Sequence, residues 1–378
     1  MTKVDASVPP LVAGLALATA LILSGCGSAI DGAGSTPSAA VAKAPVATAP
    51  VAPAAAAAAT PSPSVQDVRE PIPTAVPIKL AASIKVPRPI GIANGGGDIW
   101  VTTPTGAARI DPATDTVTGK VALGSGDDEI EGIGVDRAGV WVADFDTDAV
   151  YRIDPQTLKV VATIAVGAAA ERLVATDTAV WVGDHHGGAI SRIDPATGTV
   201  VATVEGGLPG PDGPQAISLG FGSVWVGIPN TSSVIRIDPV TNAVQATIVE
   251  PAATMPCGGL ANTADAVWVS SCGETTVIAR IDPRSNTVVA TIDLGGHAGD
   301  AFVVDGDVWF PVEDHMGPTG PVPGTLVRID PATDRVDRAL GIAAHFGAGS
   351  AVVVGDSLWL VDLSGDGRIL RIPSSALR

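Results

Sequence analysis

The chain has 378 residues and carries 39 acidic against 22 basic ones, a formal net charge of −17. No Lys/Arg cluster stands anywhere along it, which argues against nucleic acid or an anionic membrane face as partner, since both need a basic footprint. No P-loop, dinucleotide fingerprint, His-Glu-x-x-His or nucleophile-elbow pattern occurs either.

At the start, Lys3 precedes an apolar run, Leu11 to Leu23, of about 13 residues, short of the roughly 20 that span a bilayer. Leu23-Ser24-Gly25-Cys26 closes it. This tetrapeptide is similar to the bacterial lipoprotein lipobox, which implies a signal peptide over residues 1–25, cleavage before Cys26, lipid on its thiol, and an extracytoplasmic address in the cell envelope. Residues 26–74 are dominated by Ala, Pro and Ser. Such a segment buries too little apolar surface to offset its ordering entropy, so a disordered tether is expected.

From 75 to 378 the chain is expected to form one repeat domain. The unit is clearest from Gly132 to Gly167, where four β-branched runs separated by turn residues read as a four-stranded antiparallel meander. The seven tryptophans (Trp100, Trp141, Trp181, Trp225, Trp268, Trp309, Trp359) recur every 40 to 50 residues. Each is followed by an arginine, which opens Arg-Ile-Asp-Pro in every copy except Arg371-Ile372-Pro373. One meander cannot cover its own faces, so stacked copies are required. An all-β, seven-bladed β-propeller follows. The last copy lacks a fourth strand, and the orphan segment Ile78 to Val86 resembles one; strand pairing between the two ends would close the ring. For the arginine column the expectation is structural, pairing with carboxylates or turn carbonyls between blades.

Two turns have fixed length. The one joining the third and fourth strands reads Asp-Pro-x-Thr/Ser-x-x-Val, in which Asp accepts backbone N–H bonds and Pro presets φ. Asp115, Gly198, Asn242, Asn286 and Asp334 occupy a place that needs positive φ, and Leu158 breaks that pattern and should carry strain. On the opposite face loop length varies, from 9 residues between Trp100 and Arg109 to 19 between Trp309 and Arg328. Variation confined to one face marks the expected binding face. His185, His186, His297, His315 and His345 map there, with Asp128, Glu131, Asp300 and Arg172 among the charged residues.

Two constellations there have metal-like chemistry. Asp144-Phe145-Asp146-Thr147-Asp148 alternates carboxylates as a calcium loop does, but Ala149 and Pro155 leave the motif incomplete. His297 with Glu313 and His315 offers two imidazoles and a carboxylate from adjacent loops, enough to hold a divalent ion, magnesium or calcium, or to act as acid and base. With Cys26 lipidated, Cys257 and Cys272 flank the first two strands of blade five and are expected to form a disulfide.

The Trp-Val, Arg-Ile-Asp-Pro and Val-Val-Ala-Thr-Ile/Val elements at Val140 to Val166 and Val180 to Val204 resemble YVTN/NHL-type bacterial propellers and the related streptogramin (virginiamycin B) lyase superfamily. The resemblance implies a seven-bladed propeller and, on the lyase side, a magnesium ion with a His/Glu cluster, of which Glu313-x-His315 looks like a part and His297 a second imidazole. The residues favour a membrane-anchored, monomeric module that binds a protein, peptide or small molecule on the variable face. A metal-assisted lyase is the alternative.

Overall fold

The second strand of each repeat is sandwiched between neighbouring blades, which is why it reads as a continuous apolar run rather than an alternating one. In blades 2, 3, 4 and 7 every residue of that strand is buried, as in Ala179–Asp184. The computed structural model describes residues 66–69, 71–124, 130–206, 210–250, 255–271, 277–313, 316–317, 320–321, 324–342, 344–346 and 350–378. Cys26, Asp128, Cys272 and His315 therefore lie outside the described residues. Cys257 is disulfide-bonded.

Seven blades are present, each built on antiparallel strands, which follow one another in sequence order in blades 1 to 6. Blade 3 is representative: Ala170–Thr176, Ala179–Asp184, Ala189–Asp194 and Thr199–Glu205. The core is divided into layers between blades. One layer joins Trp141 and Val150 of blade 2 to Leu173, Val180 and Val182 of blade 3; another joins Trp359 and Ile369 of blade 7 to Ile92 and Ile99 of blade 1. All seven Trp rings are fully buried at these layers.

Each Trp is the direct cross-strand neighbour of its Arg, as with Trp181 and Arg192. In blades 2 to 7 the guanidinium lies 5.0 to 5.9 Å from the indole centroid, within cation–π range. The same guanidinium then reaches the Asp-Pro turn of the next blade. Arg109 donates to the Pro155 carbonyl at 2.9 Å, Arg152 to Pro195 at 3.0 Å, Arg192 to Asn242 at 3.2 Å and Arg236 to Pro283 at 2.6 Å. Arg280 pairs with Asp334 at 3.2 Å, and Arg371 closes the circle onto Asp115 of blade 1 at 3.1 Å. Arg328 is the exception. Blade 7 borrows its outer strand from the N-terminal side and so has no such turn, and Arg328 pairs inside its own blade with Asp307 and Asp337 at 3.0 and 2.7 Å.

The turn chemistry follows the sequence. Asp115, Gly198, Asn242, Asn286 and Asp334 have φ between 55° and 66°, and Leu158 joins them at 57°. A branched side chain in that region costs on the order of 1 kcal/mol. Its partial compensation is packing: Leu158 lies against the blade-1/blade-2 core, over Gly119, where a Cβ would stand 2.5 Å from its Cδ1.

Ring closure is by Ala82–Lys85, which pairs antiparallel with Arg368–Pro373 as the fourth strand of blade 7. The approach to it adds two pairings that the sequence did not announce. Val76–Pro77 runs parallel to Leu340–Gly341 on the outer edge of blade 6. Gln66–Arg69, upstream of the boundary expected at residue 75, runs parallel to Ala290–Asp293 on blade 5. The N-terminal segment thus straps three consecutive blades.

Asp144, Asp184 and Asp362 end the second strands of blades 2, 3 and 7 and are fully buried. They brace the loops that follow: Asp144 accepts from the Asp146 and Thr147 amides at 3.1 and 3.2 Å, and Asp362 from the Ser364 and His345 amides at 2.8 and 3.0 Å. The calcium-like run is accordingly built around a carboxylate already bound by its own loop. At Asp184, burial pushes the carboxyl up to about 7, against hydrogen bonds from Ser191 and the Gly167 amide.

Two outcomes follow. Arg371→Met, which removes the guanidinium contact between the last and first blades and leaves their apolar layer in place, is expected to lower stability by about 1–2 kcal/mol, read as a lower urea midpoint at unchanged slope. Asp184 has a folded pKa above its unfolded value, so the native state holds the extra proton between about 4 and 7. Its stabilising protonated form is lost as pH rises through that window. Asp184→Asn should therefore gain stability relative to the parent as pH rises from 5 to 8; a constant difference across that range would contradict the assignment.

Candidate functional site at the channel mouth

The residue nine positions before each Trp lies within two residues of the start of an innermost strand segment of its blade. These seven, Gly91, Gly132, Arg172, Ala216, Gly259, Asp300 and Ser350, line a single cavity of about 170 Å³ on the propeller axis. Crowding there explains the glycines. A Cβ at Gly91 would fall 2.1 Å from the Glu131 carbonyl oxygen, and one at Gly132 would fall 2.3 Å from that of Glu171. Inner strands approach each other through backbone at these blades, which leaves few positions where a side chain can enter the axis.

Arg172 and Asp300 use them. Arg172 of blade 3 reaches Asp300 of blade 6, Nη1 to Oδ2, at 3.0 Å, joining residues 128 apart in sequence. Its Nε lies 3.4 Å from Glu131 of blade 2. Ser350 of blade 7 donates to the same Asp300 Oδ2 at 2.9 Å. The attraction of Asp300, then of Glu131 and Glu171, holds the guanidinium well above its usual range despite burial. Asp300 Oδ1 is buried with no hydrogen-bond partner among the described residues. The site therefore presents a mostly satisfied cation in an acidic setting, spread over four blades.

Beside it, His185 Nδ1 lies 2.8 Å from Glu171 Oε2, and its Nε2 lies 3.2 Å from the Gln215 amide nitrogen. Burial works against its protonated form, but the hydrogen bond and charge of Glu171, with Asp212 and Glu131, raise the imidazole pKa overall. His185, His186 and Phe145 form a ring cluster with centroids 5.0 to 5.6 Å apart.

On blade 6 the first strand is split into His297–Ala298 and Phe302–Val304. His297 stands opposite Glu313 in the antiparallel register and is exposed. The Glu313 carboxylate is engaged elsewhere: Oε2 lies 2.8 Å from His345 Nδ1, and Oε1 accepts from the Phe346 amide. Asp300, three residues after His297, turns to Arg172. Among the described residues no three of His, Cys, Asp and Glu come together as a metal-binding group. Both Glu313 oxygens are thus engaged, one by an imidazole and one by a backbone amide.

Sequence reading found Arg172, Asp300, Glu131 and His185 but not the way they combine, and it missed Ser350, Glu171, Gln215 and Phe145. Ser350 was accessible, because it shares the repeat position of Arg172 and Asp300. Glu171, Gln215 and Phe145 carried no comparable signal.

No protein-family model and no curated protein matches this sequence. Among solved structures, the fold is similar to that of BamB from Moraxella catarrhalis, with a TM-score of 0.56 and 15% identity over 74% of this chain and 81% of that one. It is similar also to hydrazine synthase of Kuenenia stuttgartiensis, with a TM-score of 0.58 and 16% identity over 79% of this chain and 97% of that one. At such identities the likeness is one of β-propeller fold.

Proposed function

We propose that this protein is a cell-envelope lipoprotein, held to a membrane through lipid on Cys26, whose propeller is a binding module with its ligand face at the channel mouth. The observation that carries the reading is the Arg172–Asp300 pair with Glu131 and Ser350. Three blades supply charged groups there and a fourth supplies the Ser350 hydroxyl, at a cavity that all seven blades line. Convergent polar groups in a preformed concavity are what a recognition site requires. The carboxylates are committed to a cation, an imidazole or backbone amides, an arrangement suited to holding a partner in register more than to moving protons. The likeness to BamB, a propeller of the same class, is compatible with this reading at the level of fold.

A lyase of the streptogramin type is the second reading, favoured by one observation, the placement of His297 directly opposite Glu313. It requires His315 and a divalent ion to complete the set. Metal analysis of the purified protein separates the two: a stoichiometric divalent ion lost on Glu313→Gln supports the lyase.

Two experiments test the main reading. Cys26→Ala is expected to move the protein from the detergent phase to the aqueous phase on partitioning; retention in detergent would remove the anchor. Arg172→Met alone leaves buried carboxylates without their cation and should cost roughly 3 kcal/mol of stability, part of it recovered in Arg172→Met/Asp300→Asn. Cross-linking in intact cells is expected to lose its partner bands in the folded double variant, and an unchanged pattern would move the ligand face away from the channel mouth.

A further inference from the structure

The outer strands of blades 3 and 5 are nearly the same heptad, Thr-Val-Val-Ala-Thr-Val-Glu at 199–205 and Thr-Val-Val-Ala-Thr-Ile-Asp at 287–293. Their surroundings differ. In blade 5, Gln66–Arg69 pairs parallel along the outer edge, with Gln66 opposite Ala290, Asp67 opposite Thr291, Val68 opposite Ile292 and Arg69 opposite Asp293. Ala290 and Thr291 are there only 2% and 4% exposed. In blade 3 no strand among the described residues pairs with that edge. Thr203, the counterpart of Thr291, is exposed, and Val201 is 51% exposed. An unpaired, apolar edge without Lys or Pro is the form that natural sheets normally avoid. Blade 2 carries Lys159 at the head of its outer strand, whereas Thr199–Glu205 has no basic residue at all.

We infer that the outer edge of blade 3 is a docking strip for an extended segment of a partner protein, which adds as a fifth strand parallel to 199–205. The strap on blade 5 shows the geometry, and the shared heptad carries its register over. Ala202, Thr203, Val204 and Glu205 take the places of Ala290 to Asp293. The segment that fits has a β-branched residue opposite Val204 followed by a basic residue opposite Glu205, the pattern Val68-Arg69 shows on blade 5. Backbone ladder bonds supply the affinity of such strand addition, and the side chains at alternate positions supply its selectivity. This surface is on the outer rim, away from the channel mouth, so it stands or falls independently of the function proposed above.

The test uses the full-length chain and a synthetic peptide of residues 64–71, Ser-Val-Gln-Asp-Val-Arg-Glu-Pro, read by amide hydrogen exchange. Millimolar peptide is expected to slow exchange in 199–205. A peptide with Arg69→Glu should bind about 3-fold or more weakly, and one with Val68→Pro, which cannot complete the ladder, should give no protection. Protein carrying Glu205→Lys should reverse the order of the first two peptides. Unchanged exchange in 199–205, equal protection by the Pro-containing peptide, or protection confined to 287–293 through exchange with the resident strap would each overturn the proposal. Concentration-dependent protection of 199–205 without peptide would overturn it in favour of a second copy of this chain.

Discussion

The structure depends on one repeated contact, an arginine laid over its own blade's tryptophan and hydrogen-bonded to the turn of the next blade. A four-stranded blade has two apolar faces and no means of covering either, so the fold exists only as a stack. Tryptophan fills the layer between blades, and arginine fixes the rotation of one blade on the next. Because the guanidinium is planar and carries five donors, it serves the ring below and the carbonyl beyond at once. Lysine could not do both. The Asp-Pro turn is the other half of the contact, and blade 6, whose neighbour lacks that turn, shows what happens when the half is missing: Arg328 folds back onto its own blade.

That stacking also decides where chemistry is possible. Seven inner strands converge on the axis, and where they meet through glycine there is room for backbone alone. Side chains with charge enter at two of the seven equivalent positions, Arg172 and Asp300, and electrostatics then draws them together across the cavity. Ser350 completes the acceptance of Asp300, and Glu131 flanks the guanidinium. At this point a single guanidinium faces three carboxylates, those of Asp300, Glu131 and Glu171.

Repetition made the fold legible. Any one strand of this chain is ambiguous, but seven copies fix blade number, turn type and closure, and even the strained Leu158 could be seen as the one residue out of keeping at a position that needs positive φ. The strap on blades 5 and 6 escaped because its pieces are short: Val76–Pro77 is two residues long, and Gln66–Arg69 sits in a stretch whose composition reads as tether. The site was legible as a list and illegible as a geometry. Asp300 has His297 and Glu313 as sequence neighbours, and local reading groups it with them. Its actual partner is on the far side of the ring, and nothing in the spacing of Arg172 and Asp300 encodes their meeting. Glu313 likewise pairs with His345 at the start of the next blade, a contact that its sequence neighbours do not announce.

The N-terminal strap alters how the ring would bear a load. In a propeller closed by one terminal strand, tension on that terminus acts directly on the closing pair. Here a pull on the chain before Gln66 meets blade 5 first, then blade 6, and reaches Ala82–Lys85 only after both parallel pairings have parted. The four-residue pairing on blade 5 lies along its partner, so a load applied along the strap acts on it in shear and does not unzip it residue by residue. The closure is thereby shielded from whatever hauls on the chain, in the manner of a rope turned twice round a post before it is tied.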